Sequence, residues 1–243
     1  MEQTKEKAWS SKYSLVLLPG LDGTGLLFEP FKSCFPNQEK LVVVNYPTDR
    51  SLDYDHLAEI VRQRIPTSGS FVLLAESFSG PVAARLLDHP RLSGLILCAS
   101  FLHTPRSVLL RVLARLPLSL LLRVYCPTFI LRFACLGNNC PNSTVKLFRS
   151  AIKNVQPSVL EYRLRLLSDF NDLRKIAQTK APICYLLPSK DKLLPSSCAK
   201  DICDSGASVV VRKVKGPHFL LQSSPEEAVA AICEFGNGLC EQI

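Results

Sequence analysis

The chain has 243 residues, 47% of them hydrophobic, with ten cysteines and a formal net charge of +8. Such a chain buries a large core in one globular domain, which excludes a disordered protein. The most lipophilic region, Leu109 to Leu136, is interrupted by Arg111, Arg115, Arg123 and Arg132, so it falls short of the ~20 apolar residues of a spanning helix. The N-terminal MEQTKEKAWSSKY lacks the apolar stretch of a secretory signal, and a cytoplasmic location is expected. In chain order, a strand is predicted at Leu15–Leu18, a helix at Thr24–Cys34, a strand at Leu41–Val44 and a helix at Leu52–Ile65. A strand at Phe71–Leu74, a helix at Phe78–His89 and a strand at Leu95–Cys98 follow. After residues 101–180, which read as helices and loops, come a strand at Ile183–Leu187, a helix at Ser196–Ser205 and a strand at Val209–Val211. The final helix, Pro225–Phe235, has Ser224 as its expected N-cap, Pro225 at the first position and Glu226 and Glu227 at the positive end of its dipole.

Short aliphatic strands alternating with helices predict an α/β protein with a mostly parallel sheet and helices on both faces. The expected division is a core of residues 1–100 and 181–243, with residues 101–180 inserted as a helical cap, or lid, over the carboxyl edge of the sheet. The cysteines form no C-x-x-C pair, and Cys135 and Cys140 have no histidine nearby. They read as reduced, small hydrophobic residues, with no metal site expected.

Four stretches carry chemistry. In LLAESFSGP, a strand runs into Ser77 and then into a helix. A nucleophile elbow presses the residues two before and two after the nucleophile together, so it demands small side chains there, and Ala75 and Ser79 are small. Asp191 in SKDKLLP and His218 in KGPHFLLQ each follow a predicted strand, and a serine needs such a base and an acid to orient it. In LLPGLDGTG, backbone N–H of Leu21, together with that of Phe78 after the serine, can stabilise an oxyanion. The loop is not G-x-G-x-x-G, lacks the Gly-Lys-Ser/Thr of a P-loop, and carries Asp22, which argues against a phosphate site. Asp22, His103 and Phe219 are candidates for the substrate pocket. Each feature has an ordinary reading as well: a helix N-cap for Ser77, a turn former for Asp191, a surface histidine for His218. Their order along the chain, each after a strand, favours the catalytic one.

These four stretches resemble the α/β-hydrolase superfamily, in particular its small bacterial carboxylesterase-like members with a helical cap. The chain departs from that pattern at Pro19-Gly20, where His-Gly is common, and at Ala75 and Ser79, where the elbow usually has glycines. The resemblance implies the α/β-hydrolase fold, serine acyl chemistry and no cofactor. A serine in the elbow does not suit the epoxide hydrolases or dehalogenases of that fold, which use a carboxylate nucleophile. The expected function is hydrolysis of carboxylic esters, or thioesters and carrier-linked esters, through an acyl-enzyme on Ser77. An acyltransferase using the same three residues with an alcohol acceptor, or a non-catalytic binding module, remain alternatives. Residues 101–180 carry thirteen Lys and Arg against Glu161, Asp169 and Asp172. A basic cap could attract an acyl carrier protein, coenzyme A or an anionic membrane surface, or be an ordinary solvated face; no nucleic-acid partner is expected.

Overall fold

The computed structural model describes residues 9–104, 127–168 and 170–240. The leucine-rich stretch from Leu109 to Leu122 therefore lies outside the described residues. Six strands, β1 (Tyr13–Leu18), β2 (Leu41–Val43), β3 (Ser70–Glu76), β4 (Leu92–Cys98), β5 (Ile183–Pro188) and β6 (Val209–Val214), form one sheet. Its order is β2-β1-β3-β4-β5-β6, and each neighbouring pair runs parallel. All six aliphatic runs of the sequence are strands. Among the described residues the α-helices are, in chain order, α1 (Glu29–Cys34), α2 (Tyr54–Arg64), α3 (Gly80–Ala84), α4 (Thr128–Leu131), α5 (Asn142–Lys153), α6 (Pro157–Leu166), α7 (Leu173–Ala177), α8 (Ser197–Cys203), α9 (Leu220–Ser223) and α10 (Pro225–Gly238).

Alternation along the strands builds two cores. Val16 and Leu18 point to one face and pack with Leu57 and Val61 of α2 and Ile202 of α8. Leu15 and Leu17 point to the other and pack with Phe31 of α1 and Ile232 of α10. All of these side chains are buried, and burial of each contributes roughly 1.5–3 kcal/mol. Coverage on both faces is why β1, β3, β4 and β5 read as continuous apolar runs rather than alternating ones, whereas at the edge strand β6 Val210 and Val211 stay exposed.

Two helices differ from their sequence expectation. The predicted Phe78–His89 helix is a 3₁₀ turn, Ser77–Ser79, followed by the five residues of α3. The guanidinium of Arg85 turns back to donate to the Pro81 carbonyl at 2.8 Å and to Asp172 at 2.7 Å, so a side chain takes the carbonyl that the next helical amide would use. The predicted Thr24–Cys34 helix starts late, as a 3₁₀ turn at Leu26–Phe28 leading into α1. In α10, Ser224 occupies the N-cap position without a side-chain capping bond, and Glu226 and Glu227 stand in the first turn.

Between β4 and β5, the described residues form α4, a π-helical turn at Arg132–Leu136, then α5, α6 and α7. The helix α5 buries Thr144, Val145, Phe148, Ala151 and Ile152, the spacing of one helical face. That face joins Leu131, Leu136 and Leu160 in a third cluster, which also takes in Leu27 and Phe219 from the body. No helix among the described residues is long and apolar enough to cross a membrane.

Candidate active site

Because all strands run parallel, the loops after β1, β3, β5 and β6 emerge along one edge. The crevice forms where the order β2-β1-β3 reverses the direction of winding. Ser77 sits between β3 and α3 with φ of 46°, a conformation that costs a non-glycine residue energy and holds its side chain clear of the turn. Two neighbours fix that turn: Ser100 Oγ donates to the Ser77 carbonyl at 2.6 Å, and Ser79 Oγ donates to the Pro19 carbonyl. Ser79 also bonds the Tyr46 hydroxyl at 2.7 Å. A small hydroxyl thus does here more than a glycine could, tying the elbow to the loop after β1. The position that admits only glycine is Gly80, where a Cβ would lie 2.5 Å from the Phe101 carbonyl oxygen.

Ser77 Oγ lies 2.9 Å from Nε2 of His218, and Nδ1 of His218 lies 2.8 Å from Oδ2 of Asp191. The three residues, spread over 141 positions of the chain, form one hydrogen-bonded line. His218 and Asp191 have side chains only 5% and 6% exposed. Burial pushes the Asp191 carboxyl up, but His218 beside it and the N–H groups of Leu193 and Leu194 outweigh this and hold it below its ordinary range. Those two N–H groups reach Oδ1 at 2.8 and 2.9 Å, leaving Oδ2 for the imidazole. The carboxylate thus remains charged and fixes which imidazole nitrogen bears the proton, with Nε2 free to accept from the serine.

Ser77 and His218 open onto a cavity of about 250 Å³ with an almost wholly apolar lining. Its floor is Gly20, Leu21, Asp22, Phe78 and Phe219; its roof includes Leu131, Ala134, Cys135, Phe148 and Ile152 from the segment between β4 and β5. The N–H groups of Leu21 and Phe78 have no acceptor among the described residues. Asp22 is 3% exposed and folds its own loop, accepting from the Thr24 N–H at 2.9 Å. Phe219 stands edge-on to both His218 and Phe148. His103 does not join them: it is absent from the cavity wall, because its Nε2 is held 2.7 Å from Asp201 and residue 103 bridges to Asn171.

Two residues that the sequence reading did not single out stand out. Arg163 of α6 is 2% exposed, and its Nη1 donates to the carbonyls of Leu21 and Asp22 at 2.9 and 2.7 Å, while Nη2 donates to that of Pro47 at 2.8 Å. It fills the space above Gly23, where φ is 72° and a Cβ would fall 2.5 Å from Nη1. The segment between β4 and β5 thereby clamps the loop that presents the Leu21 N–H. Glu76, the residue before the serine, is 3% exposed, and Gln222 Nε2 donates to it at 2.9 Å. Its carboxyl is raised to about 7, chiefly by burial and in lesser part by Asp22, against the Gln222 bond and His218, which lower it.

A family model described as the alpha/beta hydrolase family matches residues 15–232. Among solved structures, the chain is similar to a carboxylesterase from the thaumarchaeon Nitrososphaera gargenis, with a TM-score of 0.77 and 12% identity over 96% of this chain and 93% of that one. An esterase from Exiguobacterium antarcticum gives 0.76 and 15% identity over 94% and 93% of the two chains. MenH from S. aureus gives 0.76 and 14% identity over 95% and 96%. No curated protein matches the chain.

Proposed function

We propose, for a chain that belongs to the alpha/beta hydrolase family, that it hydrolyses carboxylic esters with an apolar acyl group through an acyl-enzyme on Ser77. The observation that carries this reading is the line Ser77, His218, Asp191 at the mouth of an apolar cavity. In the proposed reaction Ser77 Oγ attacks the ester carbonyl as its proton passes to His218 Nε2, and Asp191 stabilises the imidazolium through Nδ1–H. The tetrahedral oxyanion receives the N–H groups of Leu21 and Phe78. The intermediate collapses with cleavage of the carbonyl carbon to alkoxy oxygen bond, and His218 returns the proton to the departing alcohol. Water, deprotonated by His218, then attacks the acyl-enzyme and releases the carboxylic acid and Ser77.

The division into a core of residues 1–100 and 181–243 and a cap of residues 101–180 belongs to the same proposal, with the cap shaping the acyl site. None of the described cysteines is in a disulfide, in keeping with the proposed cytoplasmic location. Hydrolysis of p-nitrophenyl esters from acetate to palmitate, by the native protein and by Ser77→Ala, tests the function. Turnover that disappears in the variant is expected. Equal turnover by both proteins would refute the role of Ser77, and added alcohol that diverts product into a new ester would instead identify an acyltransferase.

A further inference from the structure

The outer side of the cavity roof has a composition that the proposed chemistry does not use. On α4 and the π-helical turn after it, Leu131, Ala134 and Cys135 face the cavity, whereas Phe129 and Phe133 are 71% and 61% exposed. The two phenylalanines are four residues apart and so share a helix face. Ile130 belongs to both sides: it lines the cavity and is 45% exposed. Large aromatic side chains held in water next to one another mark an interaction surface.

Cations border this patch. Lys192 Nζ lies 3.1 Å from the centroid of the Phe133 ring. Phe133, Lys190, Lys192 and Lys215 line one shallow groove, in which Glu227 is the one carboxylate among the described residues. None of these three lysines forms an ion pair among the described residues. Arg132 extends the strip, bonded to Asn142 at 2.7 Å.

We propose that Phe129, Ile130 and Phe133, with Lys190, Lys192 and Lys215 beside them, form a docking face for an anionic lipid bilayer. The inference rests on the ester-hydrolase reading for its purpose, because it names where the substrate is presented: an acyl chain passes from the bilayer over Ile130 into the cavity. An interfacial surface needs apolar side chains that enter the acyl boundary and cations that meet lipid phosphates. An acidic carrier protein would be met by the lysines alone and gives no reason for two exposed phenylalanines. The backbone links this face to the site, since the Phe219 N–H donates to the Cys135 carbonyl at 3.3 Å and Ser223 Oγ to the Leu136 carbonyl at 2.8 Å.

The test is co-sedimentation of the full chain carrying Ser77→Ala with vesicles of phosphatidylcholine alone or of equal parts phosphatidylcholine and phosphatidylglycerol. The expected result is binding to the mixed vesicles that weakens on the order of a hundredfold on neutral ones. Replacing Phe129 and Phe133 together by serine should weaken it about tenfold or more, and replacing the three lysines by glutamate on the order of a hundredfold. In the Ser77 background the phenylalanine variant should cleave a soluble short-chain ester at the native rate, and both variants should keep the native circular dichroism spectrum and urea midpoint, which establishes that they fold. No vesicle binding, binding indifferent to these substitutions, or binding to an acidic carrier protein in place of vesicles would overturn the docking face. Vesicle binding without ester hydrolysis would refute the catalytic reading and leave the docking face standing; hydrolysis without vesicle binding would do the reverse.

Discussion

The cavity has a floor and a roof built on different principles. The floor consists of strand ends and turns whose polar atoms are fixed by hydrogen bonds: Ser77 to His218, His218 to Asp191, Ser79 to the loop after β1. The roof consists of short helices that meet the cavity with leucine, isoleucine and phenylalanine; of its two buried ionic side chains among the described residues, Asp172 pairs with Arg85 and Arg163 reaches down to the floor. Directional bonds position groups to a fraction of an ångström, as bond-making requires, whereas apolar contacts fix volume and tolerate exchange. Reactivity should therefore depend on the floor and acyl selectivity on the roof, with Arg163 as the point where the two are coupled.

Changes to the floor should break this contrast most severely. Asp191→Asn keeps the shape but favours the wrong imidazole tautomer, and kcat should drop on the order of 10⁴-fold, with KM nearly unchanged, in steady-state assays on a soluble ester. Arg163→Met, a change made in the roof, should nevertheless behave partly as a floor mutation. It leaves the carbonyls of Leu21, Asp22 and Pro47 without their donor, which should cost roughly 2–4 kcal/mol of stability in urea unfolding and lower kcat by about tenfold to a hundredfold through the misplaced Leu21 N–H. Arg163→Lys should restore part of kcat, which a merely space-filling role would not predict.

Glu76 gives a subtler effect on the floor. With its carboxyl raised from 4.5 to about 7 by burial, the native state holds a proton that the unfolded chain releases. Its stabilising contribution is complete below about pH 4.5, falls as pH rises toward 7 and is lost above that. The Oε1 of Gln222 is buried without a partner, and a protonated Glu76 has the donor that this oxygen lacks. Glu76→Gln supplies such a donor at every pH. It should flatten this pH dependence and, relative to the native protein, gain on the order of 2–3 kcal/mol at pH 8 over pH 5 in urea midpoints. Smaller still, Ile152→Phe in the roof should shift the preferred ester toward shorter acyl chains while changing kcat for the best substrate by less than about threefold.

The floor was also the more legible part of the sequence. Strands covered on both faces leave uninterrupted runs such as Leu15–Leu18 and Phe71–Leu74, and residues placed directly after them share one edge by construction, so Ser77, Asp191 and His218 could be brought together from chain order alone. His103 follows a strand as well, yet Asp201, 98 residues away, draws it out of the cavity. Such long-range partners leave no local trace. Arg163 looks like any cation in the amphipathic stretch EYRLRLL, and only the fold reveals three carbonyls around it. Glu76 did have a trace, a carboxylate at the end of an apolar strand, but its neighbour Gln222 comes from the other end of the chain. The early end of α3 likewise depends on Arg85 finding Asp172.

The most direct test is covalent trapping of the nucleophile. The native protein is treated with a fluorophosphonate and the adduct mapped by peptide mass spectrometry, with Asp191→Asn run alongside. A single adduct on Ser77, formed far more slowly in Asp191→Asn, is the predicted result. A folded native protein that remains unlabelled at Ser77, or is labelled on another residue, would contradict the assignment of Ser77, His218 and Asp191 as the reacting line.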